Sequence, residues 1–141
     1  MTAEPKRYYL ATALEAFQRA HVAHEVARAA GWACTFNWAA ELDPSTPPRL
    51  RDLAHKYVSA IRTADVVIVM LPGGRGTHAE LGMAIAFRKP VILIATDDQL
   101  LAGADERTCA FYSHLHVERV DSIGALPDAL ARAGHPSKLW Q

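Results

Sequence analysis

The chain predicts an α/β fold: one doubly wound, flavodoxin- or Rossmann-like domain over residues 1–141, with a parallel sheet of about five strands flanked by helices. Three observations predict it. Short apolar runs alternate with stretches of helical spacing, the order a parallel sheet needs for its crossovers. The central run, residues 66–71, reads VVIVML, continuous and mostly β-branched, as in a strand buried on both faces. A length of 141 residues suits a single sizeable core.

The elements follow in order. Residues 8–11 form the first strand, and residues 14–30 an amphipathic helix stopped by Gly31. Residues 32–36 give the second strand. Residues 41–48 are a proline-rich loop, short for a linker but able to cover a site as a flap. Residues 50–63 form the second helix and lead into the strand at 66–71. Leu81, Ala84, Ile85 and Phe87 give residues 77–88 helical spacing, and residues 91–95 read as the next strand. A polar loop at 96–107 precedes a fifth strand at 116–120, after which Ser122 caps the last helix. In a flavodoxin-like strand order the ligand crevice lies at the carboxyl ends of strands one and three. Ala11 and Thr12 would then face the loop that begins at Pro72.

Composition removes several classes. Lys plus Arg and Asp plus Glu each total 15, so no net field favours nucleic acid or an acidic membrane surface. The apolar runs are of strand length, too short to span a bilayer. The N-terminal residues do not resemble a secretory signal, so a cytoplasmic location is expected. Two cysteines, Cys34 and Cys109, have no metal-like spacing and read as buried free thiols, and the seven histidines show no zinc pattern. No metal is expected from these spacings.

The most informative segment is residues 64–90, ADVVIVMLPGGRGTHAELGMAIAFRKP, which sets a glycine loop and a carboxylate between strand and helix. Gly73, Gly74 and Gly76 permit positive φ and close approach of a ligand to the backbone. The loop feeds a helix N-terminus, whose free N–H groups favour an anion or polar oxygens. Glu80 is expected in the first turn, facing the loop mouth, where a simple alternative use is to complement the helix dipole.

A Walker A loop is excluded, because no Gly-Lys-Ser/Thr follows the glycines. The pattern Gly74-x-Gly76-x-x-Ala79, with Asp97 and Asp98 downstream, satisfies the loose dinucleotide signature, but follows the third strand and leaves Glu80 idle. The run from Asp65 through Gly76-Thr77-His78-Ala79-Glu80-Leu81-Gly82-Met83-Ala84 to Lys89-Pro90-Val91 resembles the nucleoside 2-deoxyribosyltransferase family and its deoxynucleotide N-hydrolase relatives. Tyr8-Tyr9-Leu10-Ala11 and Phe36-Asn37-Trp38 extend the likeness over most of the chain. Pro72 to Glu80 also resembles the PGGxGTxxE motif of nucleotide phosphoribohydrolases, often labelled lysine decarboxylase-like, although their upstream glycine-rich segment has no counterpart here.

Both resemblances imply cleavage of an N-glycosidic bond in a small nucleoside or nucleotide. As that bond breaks, positive charge develops on the sugar, and a carboxylate below the anomeric carbon can stabilise or capture it. No cofactor is expected for this glycosidic chemistry. The deoxyribosyltransferase resemblance makes Glu80 that nucleophile, Tyr9 the tyrosine that orients it, and Asp65 the second acid serving the leaving base. It also implies a homodimer or larger homo-oligomer, for which the Ala, Leu and Val face of the helix at 14–30 is a candidate, although the same residues can simply cover the sheet.

The residues alone leave alternatives open. Tyr9 suits a core strand equally, and Asp65 a capping carboxylate at the sheet edge. Trp38 can stack on a nucleobase or serve as a core lid. Arg75 can meet a phosphate in bidentate fashion or remain solvated. His78 can hydrogen-bond a sugar or begin the helix. Thr12 replaces the glycine- and serine-rich turn of the deoxynucleotide hydrolases, which points toward a nucleoside or an unusual nucleotide. Tyr57 stands where many relatives carry an acid. A nucleotide-sensing module without catalysis is the reading from another class.

Overall fold

The computed structural model describes residues 4–38, 46–96 and 108–134. Their secondary structure is β1 (Arg7–Ala11), α1 (Phe17–Ala29), β2 (Ala33–Cys34), α2 (Pro47–Thr63), β3 (Val66–Met70), α3 (Arg75–Ala86), β4 (Val91–Ile94), β5 (Val117–Val120) and α4 (Leu126–Ala133). Short 3₁₀ turns at Leu14–Ala16, Ala110–Ser113 and Ile123–Ala125 join them.

All strand pairs are parallel, and the sheet runs β2-β1-β3-β4-β5. This is the expected flavodoxin-like order, reversing between β1 and β3. Tyr8 pairs with Val66 and Ala11 with Val69, so these two strands end level. The Thr12 hydroxyl then donates to the Met70 carbonyl at 2.8 Å, tying the two carboxyl ends together.

Every residue of β3 is buried, which its β-branched sequence requires of a central parallel strand. Helix α2 packs beside α3, and α1 beside α4. Successive side chains on β1 take opposite faces. Tyr8 meets His24 of α1 with a 2.6 Å hydrogen bond, while Tyr9 packs edge-on against Tyr57 of α2.

Several boundaries differ from the sequence reading. Helix α2 begins at Pro47 rather than residue 50, because Thr46 caps it by accepting from the Arg49 N–H, and two prolines suit its first positions. The second strand shrinks to two paired residues at the sheet edge. Ser122 precedes a 3₁₀ turn and makes no side-chain cap. Cys34 and Cys109 are free but only half-buried. Most of the proposed flap, the bulk of the polar loop, and Asp97 and Asp98 lie outside the described residues. No helix among the described residues is long and apolar enough to cross a membrane.

Candidate active site

The carboxyl ends of β1 and β3 open into a cavity of about 330 Å³. Thr12, Leu14 and Glu15 line it from β1, Trp38 from β2, Tyr57 from α2, and Gly74 to Thr77 with Glu80 from α3. Its volume falls at the small end of the range usual for small-molecule sites.

Helix α3 begins at Arg75, two residues earlier than its apolar spacing suggests. Glu80 therefore sits in the second turn, on the buried face with Thr77, Leu81 and Ala84. This corrects the first-turn expectation and removes the dipole-complementing alternative. Glu80 is 9 % exposed, and burial raises its carboxyl from 4.5 to about 7, with Tyr9 partly offsetting the rise. The Tyr9 hydroxyl is itself buried and forms no hydrogen bond of ordinary geometry. Burial, and then the Glu80 charge, push this phenol well above the usual tyrosine range. Tyr57 is raised for the same two reasons, so two phenols converge on one carboxyl.

The glycines work differently from expectation. Among the described residues positive φ falls on Gly31, at 92°, and on Arg88, at 60°, and not on the loop. What the loop glycines supply is space. A Cβ on Gly73 would come within 2.5 Å of the Thr77 side chain, whereas one on Gly74 or Gly76 would project into open space. The Thr77 hydroxyl, freed to approach, accepts from the Gly74 N–H at 3.0 Å and fixes the start of α3.

Of the residues singled out in the sequence, Thr12, Trp38, Tyr57, Gly74, Arg75, Gly76 and Glu80 line the cavity, with Tyr9 against Glu80. Trp38 is 3 % exposed and donates its indole N–H to the Leu10 carbonyl at 3.1 Å, so it is an anchored wall. Arg75 is exposed at the mouth. Ala11, Pro72 and Gly73 support the loop ends without lining the cavity.

Two candidates are placed elsewhere. Asp65 precedes β3 at its amino end, and five strand residues at about 3.3 Å each separate it from the crevice. There its carboxylate accepts from the Arg7 N–H at 2.8 Å, the edge-capping use. His78 has both ring nitrogens engaged, by the Gly74 carbonyl and the Tyr112 hydroxyl, and does not line the cavity. Sequence reasoning passed over Glu15 and Thr77. Glu15 follows β1 at its carboxyl end, the position a flavodoxin-like order sends to the crevice, and that signal was available.

A sequence model of the nucleoside 2-deoxyribosyltransferase family matches residues 8–125. No curated protein sequence matches the chain. Among solved structures, a 2-deoxyribosyltransferase of Bacillus psychrosaccharolyticus superposes with a TM-score of 0.67 at 17% identity, covering 86% of this chain and 90% of that one. A CMP N-glycosidase of Clostridium botulinum gives 0.61 at 19% identity, covering 89% and 99%. A 2-deoxyribosyltransferase of Leishmania mexicana gives 0.59 at 17% identity, covering 94% and 100%. These likenesses establish the fold.

Proposed function

We propose that Glu80 is the nucleophile of a chain that belongs to the nucleoside 2-deoxyribosyltransferase family and cleaves the N-glycosidic bond of a small nucleoside or nucleotide. The observation that carries this reading is the buried Glu80 carboxyl on a cavity wall, with the Tyr9 phenol beside it and open space above.

The Glu80 carboxylate attacks the anomeric carbon, and the bonding electrons leave with the base. Tyr9 orients the carboxylate and limits its loss of charge in the buried setting. A second base, or water, then attacks the same carbon, loses a proton and returns Glu80 to its free form. With Asp65 remote, Glu15 is the other carboxyl group lining the cavity among the described residues, and in its protonated form it would give a proton to the departing base and become a carboxylate. Trp38 offers an aromatic wall for that base. Arg75 and the free N–H groups of the first turn of α3 suit sugar oxygens or a 5′-phosphate.

The α1 side carries exposed Leu14, Phe17 and Val22, at 57%, 56% and 47%, which supports a homodimer or larger homo-oligomer. Leu14 also lines the cavity, so a partner seated there reaches the site. The two free thiols suit a reducing compartment such as the cytoplasm.

The test is chromatography of free base released from deoxynucleosides, ribonucleosides and their monophosphates, with and without an acceptor base, by wild type and Glu80→Ala. Release that depends on Glu80 is expected. A new nucleoside formed with the acceptor marks transfer, and release without one marks hydrolysis. Release by Glu80→Ala at the wild-type rate would overturn the assignment.

A further inference from the structure

We propose that Tyr112 is a positioning residue for this reaction: through His78 it holds the Gly74 carbonyl, and with it the first turn of α3 that faces the substrate. The proposal rests on the reading of the cavity as the catalytic site.

Hydrogen-bond chemistry gives the chain of contacts a direction. A carbonyl oxygen only accepts, so the 2.7 Å contact between His78 Nδ1 and the Gly74 oxygen places the ring proton on Nδ1. In the uncharged ring Nε2 then carries the lone pair, and the Tyr112 hydroxyl, 2.5 Å away, donates to it. The rings pack tilted at 41° with centroids 5.6 Å apart, and Tyr112 is 5% exposed. The sequence runs Gly74 O, His78 ring, Tyr112 hydroxyl, with one tautomer throughout.

Gly74 is held from both sides. Its N–H donates to the Thr77 hydroxyl, and its carbonyl also accepts from the His78 backbone N–H at 3.2 Å. Arg75, Gly76 and Thr77 follow directly and line the cavity. As first-turn residues they have amide groups without intrahelical acceptors. Where those amides point depends on the Gly74 peptide, and so on His78 and Tyr112. Tyr112 itself lies in the 3₁₀ turn between β4 and β5 and does not line the cavity, so it acts on substrate only through this chain.

The test compares wild type, Tyr112→Phe, His78→Asn and the double variant, using the nucleoside or nucleotide from which wild type releases base. The asparagine amide nitrogen occupies the branch position of Nδ1, so His78→Asn keeps a donor for Gly74 while severing Tyr112. Each single variant is expected to raise KM roughly three- to tenfold, the worth of one hydrogen bond, with kcat within about twofold. The double variant is expected to be no worse than His78→Asn alone. The ¹⁵N spectrum of His78 is expected to show the Nδ1–H tautomer in wild type and an altered Nε2 signal in Tyr112→Phe. Unchanged KM in Tyr112→Phe, additive losses in the double variant, or an Nε2–H tautomer in wild type overturns the proposal. If wild type releases no base while the tautomer signature is intact, it is the catalytic reading of the cavity that fails, and the positioning role with it.

Discussion

Tyr9 and Glu80 come together beneath the cavity from different elements, β1 and α3, and each shifts the other's ionisation. Burial raises both groups; the carboxylate raises the phenol further, while the phenol restrains the rise of the carboxyl. The phenol acts on the carboxylate although the pair falls short of ordinary hydrogen-bond geometry, and it has no other hydrogen-bond partner among the described residues.

Stability should record the burial of Glu80. Its carboxyl rises from 4.5 in the unfolded chain to about 7 in the fold, so the folded protein holds the proton more tightly. This contribution is therefore fully present below pH about 4.5, is lost as pH rises toward about 7, and stays lost above. Urea unfolding at pH 4 and pH 8 should show Glu80→Gln gaining relative to wild type at the higher pH, by up to about 3 kcal/mol. The same variant should lose several orders of magnitude in turnover with the fold preserved.

Activity should move with pH in the opposite sense. The nucleophile is the carboxylate, so kcat/KM of the free enzyme should climb through pH about 7 as Glu80 ionises. Tyr9→Phe removes the group that lowers this value, and its acidic limb should shift to higher pH. Its kcat at the plateau should fall roughly ten- to hundredfold, the range for one hydrogen bond to a charged group. A pH–rate profile of the two proteins checks both.

Gly76→Ala should separate stability from function. Ala is a better helix former by about 0.5–1 kcal/mol, and its Cβ meets nothing within 4 Å. The methyl group would project at a residue that lines the cavity, so KM should rise as the melting temperature rises. Gly73→Ala should do the reverse of the first effect, losing stability because its Cβ strikes Thr77.

The two remaining carboxylates should part company. Asp65→Ala should cost about 0.5–1 kcal/mol of stability through the lost Arg7 contact while leaving kcat/KM within about twofold. Glu15→Ala should leave stability unchanged and slow base release by roughly a hundredfold, most for the poorest leaving bases. Melting curves and steady-state kinetics on the same preparations distinguish them.

The sheet was legible because β3 and β4 are short, apolar throughout and rich in β-branched residues, the pattern of strands buried on both faces. The glycine loop was legible because it follows the strand that the order reversal exposes. Asp65 matches the family's second acid by motif alone, and its place before β3 puts it at the amino end, opposite the loops that follow the strand, where the capping alternative holds. The sequence leaves His78 open between a sugar contact and a helix-start residue, and its partner Tyr112 comes 34 residues later in the chain, beyond any local pattern. Glu15 was missed because the turn at Leu14–Ala16 reads as the start of a helix.

The Gly74 peptide, with both its N–H and its carbonyl claimed by residues at the start of α3, makes the wall a stencil of fixed outline. Changes of base and sugar preference would then fall to side chains that project from the outline at Leu14, Tyr57 and Arg75, while the backbone that presents them stays as it is. Such a scaffold separates what can drift from what must stay, and a library confined to those three positions would explore base and sugar preference without touching Glu80, Glu15 or the frame.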